Sequence, residues 1–101
     1  MGVELLWFAG CPSWQLAEGR LREALSLAQL DAELVLVEVR TPEEAERLGF
    51  PGSPTVLVDG RDPFADEVAP AGLACRLFRT PDGLRGAPTV EQLVEVLRGT
   101  G

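Results

Sequence analysis

Apolar positions change their spacing several times along the chain, and each change marks an element. Residues 3–8, VELLWF, form a short apolar run that predicts a buried strand, which AGCPSW then ends. From Trp14 onward, apolar side chains fall at Ala17, Leu21, Ala24, Leu25 and Ala28, the spacing of one helix face. Pro12 suits the first helical position, where a missing N–H loses no hydrogen bond. AELVLVEV, residues 32–39, predicts a second strand. Thr41-Pro42-Glu43-Glu44 then reads as a helix start, with threonine as the cap and Glu44 reaching back as in a capping box. That helix stops at Gly49. TVLV, residues 55–58, predicts a third strand, and Asp59-Gly60 a turn.

Residues 61–74 show no period and contain two prolines, so they form a long connection. Connections longer than about 12 residues are often functional or mobile. CRLFRT, residues 75–80, predicts a fourth strand and PDG a turn. Thr89 with Gln92 caps a last helix bearing Val90, Leu93, Val94 and Leu97, closed by Arg98-Gly99. The order β-α-β-α-β-β-α predicts one α/β domain over residues 1–101, without repeats or low-complexity segments. Strands one and two should run parallel with a right-handed crossover. Strands three and four, joined more closely, should be antiparallel. The expected result is a four-stranded mixed sheet flanked by helices on both faces.

Composition acts chiefly by what it excludes. The chain has 101 residues, 46% of them apolar, enough to bury a core without metal or disulfide staples. Its net charge is −7, from sixteen acidic residues against nine arginines with no lysine. The arginines are scattered, so no nucleic-acid partner is expected. With no histidine, neither a Ser-His-Asp triad, a Cys-His pair nor a histidine metal ligand can form. The absence of lysine removes P-loop and Schiff-base chemistry. The first residues lack a basic region, and their apolar run is too short for a signal peptide or a membrane span. A cytoplasmic protein with no membrane partner is the resulting expectation. Glu43, Glu44 and Glu46 read as a solvated helix face. Asp59, Asp62, Asp66 and Glu67 fit no calcium-loop spacing, so no metal is expected there.

Two cysteines remain. Cys11 lies where a strand ends and a helix begins. Unpaired N–H groups and the helix dipole favour an anion there. Cysteine pKa values in such places fall to about 3.5–7.5, which makes Cys11 a candidate nucleophile. The competing reading is a strand-end cysteine that packs as a small hydrophobe. Trp14 either opens the apolar stripe or walls the sulfur, and Phe50 and Phe64 either line a cleft or join the core. If the third strand starts beside Cys11 and runs away, Cys75 lies about 15 Å off, at about 3.3 Å per residue. A disulfide needs Cα atoms within about 7 Å. Cys75 therefore reads as a buried structural thiol, resolving Cys11 only if the long connection carries it back.

FAGCPSW (8–14), GSPT (52–55) and the tail GAPTVEQLVEVL resemble the thioredoxin-like superfamily. The pairing of a strand-end Cys-Pro with a later small-residue-Pro-Thr before a strand carries the resemblance, which spans nearly the whole chain except 61–74. It implies a thioredoxin-like fold, Cys11 as the catalytic nucleophile and a cis Pro54 beside it. Ser53 would offer its backbone to an extended thiol substrate, with Pro12 and Trp14 lining the same site. Trp14 stands where thioredoxins carry a second cysteine, so the chain is more similar to one-cysteine, glutaredoxin-like members. The implied function is thiol redox chemistry. Cys11 would form a mixed disulfide with a small thiol or a protein disulfide, using no bound cofactor but glutathione or another small thiol as co-substrate. Two alternatives stay open: a non-catalytic binding or adaptor domain, and handling of soft metals or organomercurials, which thiolates prefer.

Overall fold

The strand VELLWF becomes the centre of the sheet because it is apolar on both faces. In the computed structural model, which describes residues 1–65 and 72–99, this strand is β1 (Gly2–Trp7). It is followed by α1 (Ser13–Leu27), β2 (Glu33–Glu38), α2 (Pro42–Leu48), β3 (Thr55–Val58), β4 (Phe78–Thr80), β5 (Gly83–Arg85) and α3 (Val90–Leu97). β1 pairs with β2 in parallel, from Gly2↔Glu33 to Trp7↔Glu38. It pairs with β3 antiparallel, from Val3↔Val58 to Leu6↔Thr55. A parallel pair needs a crossover, and α1 supplies it.

Successive β1 side chains point to opposite faces, and each face has its own core. Val3 and Leu5 join Val56 against Ala17, Leu21, Ala24 and Leu25 of α1 and Leu93 and Leu97 of α3. Leu6 points the other way, to Val39, Phe50 and Ala45 of α2. Helices therefore cover both faces, as the pattern predicted. Burying a side chain such as Leu5 or Leu21 contributes about 1.5–3 kcal/mol.

The helix ends follow their sequence signals. Thr41 caps α2, its hydroxyl accepting the Glu44 N–H at 3.1 Å. Gly49 closes α2 at φ 63°. At α3 the capping box is complete: Gln92 N–H donates to Thr89 Oγ1 (3.1 Å) and Thr89 N–H to Gln92 Oε1 (2.9 Å). Pro12 is the cap residue of α1, one place before the position expected for it.

The four-stranded sheet is corrected. The sheet has three strands, ordered β2-β1-β3, and β4 pairs with β5 in a separate antiparallel hairpin. Two local features cause this. After β3, Asp59 and Gly60 take positive φ (52° and 81°), and Arg61 folds straight back to bond Val58 in both directions. Of CRLFRT only Phe78–Thr80 is strand, and the PDG turn folds it onto Gly83–Arg85 rather than onto β3.

Candidate functional site: a disulfide beside a cis-proline

The site begins with a turn. Leaving β1, the chain bends so that the Cys11 N–H donates to the Phe8 carbonyl at 3.1 Å. This sets Cys11 two residues before α1, at the C-terminal end of the central strand. No side chain caps the first turn of α1. Cys11 is 1% exposed.

Facing it is the segment before β3. The Ser53–Pro54 peptide is cis, as the resemblance implies, and both residues are buried. Ser53 ties three parts of the chain together. Its hydroxyl accepts the Phe8 N–H at 3.0 Å, fixing the end of β1. Its carbonyl oxygen lies 3.8 Å from Cys11 Sγ. Its N–H donates to the Ala74 carbonyl (2.8 Å), and its carbonyl accepts the Arg76 N–H (2.9 Å). The backbone that the resemblance offers to a substrate is thus engaged by the chain's own residues 74–76.

That engagement reverses the expected place of Cys75. Ser53 and Cys75 form an isolated parallel bridge, Cys75 is bonded to Cys11, and the two Cα atoms are 5.7 Å apart. The 15 Å separation assumed that Cys75 opens a strand at the far end of β3. Instead the connection returns to the start of β3 before β4 begins. Its fourteen residues allow this easily, at about 3.3–3.6 Å of reach each. Cys75 is also exposed rather than buried.

Gly52 makes the approach of 74–76 possible. Its φ is +131°, and a Cβ there would stand 3.0 Å from Arg76 Cβ and 3.1 Å from the Ala74 oxygen. Arg76 then anchors the returning segment. Its guanidinium donates to both Asp62 carboxylate oxygens (2.7 and 3.3 Å), to the Phe64 carbonyl and to Thr55 Oγ1 (3.2 Å). It also lies over the Phe78 ring, 4.5 Å from the centroid. The sequence reading missed this ion pair. Its only sequence signal is an arginine set between Cys75 and the apolar Leu77-Phe78.

The other predicted residues divide. Trp14 stacks on Trp7, with centroids 4.2 Å apart and planes at 26°, and both rings are half-buried. Pro12 is exposed at the head of α1. Phe50 is wholly in the core, whereas half-buried Phe64 meets Phe78 edge-on at 5.5 Å. Asp59 accepts the Gly2 N–H at 2.8 Å. Asp66 and Glu67 lie outside the described residues. Among the described residues, no three Cys, Asp or Glu side chains are grouped to hold a metal ion. None of their helices is long and apolar enough to cross a membrane. A surface cleft of about 320 Å³ lined by Arg20, Glu23, Leu27, Thr89, Val90 and Glu91 contains no predicted site residue. Comparison with family models, with curated proteins and with solved structures finds no match.

Proposed function

We propose that this chain is a thiol–disulfide exchange protein whose redox couple is Cys11 with Cys75. The observation that carries the reading is the junction of three features at one point. They are a buried cysteine at an uncapped helix start, a cis-proline segment 3.8 Å from its sulfur, and a second cysteine bonded to it. A partner thiolate attacks one sulfur, forms a mixed disulfide and releases the other cysteine as thiolate. A second partner thiolate then attacks the mixed disulfide. The net change is two partner thiols oxidised to one disulfide, and the protein disulfide reduced to two thiols. Run backwards, the same steps reduce a partner disulfide. Because the second cysteine is 64 residues away in sequence but adjacent in space, Trp14 at the intrahelical position does not prevent closure.

The contrasting reading is an adaptor in which the same bond is only a staple. Brief treatment with a dithiol reductant in native buffer, followed by alkylation and mass measurement, separates them. Two alkyl groups are expected when protein reduced in native buffer, with unchanged far-ultraviolet circular dichroism, is then denatured in the presence of the alkylating agent. A bond that the reductant opens only in denaturant contradicts exchange.

A further inference from the structure

The two sulfurs of the pair are not equivalent, and their difference assigns them roles. Cys11 is 1% exposed, whereas Cys75 is exposed. Attack on a disulfide sulfur proceeds in line, with the incoming sulfur opposite the leaving one, and its rate depends on access to the sulfur attacked. Cys11 is withdrawn from solvent, with the carbonyl oxygen of buried Ser53 3.8 Å from its Sγ, so an incoming thiolate has little access to that sulfur. Cys75 is the cysteine of the pair that lies at the surface, and so the one open to approach. The better leaving group is also on the inside. Cys11 precedes the uncapped first turn of the fifteen-residue helix α1, an end whose dipole favours an anion such as a released thiolate.

The surroundings of the bond also limit what can attack. An extended peptide that pairs its backbone with Ser53 needs the N–H and carbonyl that Ala74 and Arg76 already occupy. Displacing residues 74–76 would also strip the Arg76 guanidinium from Asp62, Phe64 and Thr55. A small thiol needs none of these groups.

Building on the exchange reading above, we propose that a low-molecular-weight thiol opens the bond at Cys75 and that Cys11 is the leaving thiolate. The thiolate RS⁻ attacks Cys75 Sγ, the bond from Cys75 to Cys11 breaks, and its electron pair leaves on Cys11. The products are the mixed disulfide Cys75–S–S–R and the Cys11 thiolate. A second RS⁻ attacks the sulfur of R, giving RSSR and the Cys75 thiolate, and water supplies the two protons the thiolates take up. By microscopic reversibility, Cys75 is the attacking sulfur when the reduced protein meets a small disulfide, and Cys11 then closes the ring.

Oxidised protein is mixed with excess cysteamine, quenched in acid within the first turnover, and mapped by peptide mass. The adduct is expected on Cys75, and an adduct chiefly on Cys11 overturns the assignment. A second measurement does not depend on catching this intermediate. Cys11→Ser and Cys75→Ser are reacted, reduced, with cystamine at pH 9.5, above the usual thiol pKa of about 8.5. Cys11→Ser, which keeps Cys75, should react about tenfold faster, because access dominates once both thiols are ionised. Equal rates, or a faster Cys75→Ser, overturn it. If cysteamine opens the bond only in denaturant, the exchange reading itself fails. If the bond opens in the folded protein with the adduct on Cys11, only the assignment of roles fails.

Discussion

Ser53 shows how much of the site depends on one small polar residue. It is fully buried, so each of its polar atoms needs a partner, and it finds them in β1 and in residues 74–76. Ser53→Ala leaves the Phe8 N–H without its acceptor, and urea unfolding should report a loss of about 1–3 kcal/mol. Gly52→Ala acts differently. It places a methyl against Arg76 Cβ and the Ala74 oxygen at a backbone angle unfavourable to alanine. The 74–76 segment should shift from Ser53, and in a fixed thiol–disulfide buffer the fraction of Cys11–Cys75 bond should fall; an unchanged fraction refutes the role given to Gly52. The strand end and helix start around Cys11 were legible as local signals, whereas the cis Ser53–Pro54 bond was expected only from the resemblance carried by GSPT. Cys75 was not legible as their partner, because backbone bonds to Ser53 bring it there and any residues at 74–76 could make them.

At the level of elements, the Arg76–Asp62 ion pair adds a side-chain clip to the backbone bonds that hold residues 74–76 at Ser53. Side-chain exposure is 6% for Arg76 and 16% for Asp62, so the pair is largely withdrawn from water. Asp62→Ala leaves a buried guanidinium without its counter-charge and should cost about 3–5 kcal/mol. The double change Asp62→Ala with Arg76→Met removes the charge as well, so it should cost clearly less than the sum of the single changes. A double-mutant cycle measures that coupling, and additive losses contradict the clip. At α3, Thr89→Ala should cost about 1 kcal/mol, since it removes the capping hydroxyl. The three helices were readable from caps and the 3.6-residue period. β5 was not, because Gly83, Leu84 and Arg85 are all exposed and carry no alternation. β4 was overextended toward Cys75 because CRLFRT reads as one continuous strand, whereas Cys75 meets the segment before β3 only through a single bridge to Ser53.

For the whole molecule, the Cys11–Cys75 bond is a constraint as well as a reactive group. It joins residues 64 apart, and loop-closure entropy for that span corresponds to about 4 kcal/mol of stability. The reduced protein should therefore unfold at a lower temperature than the oxidised one while remaining folded at 25 °C, because the two cores between β1 and the three helices contain neither sulfur. Calorimetry of both forms checks this. The α/β order and the two-sided helical cover followed from the apolar pattern. The number of strands in the sheet did not, since the turn at Asp59-Gly60 and the return of 74–76 decide it. The central claim, that Cys11 and Cys75 form a working redox couple, is tested most directly by titrating the folded protein against thiol–disulfide buffers of set potential. The account predicts a reversible two-electron transition at a potential between about −120 and −270 mV, the range of thiol-exchange proteins. A bond that stays closed to below about −300 mV, as structural disulfides do, would contradict it.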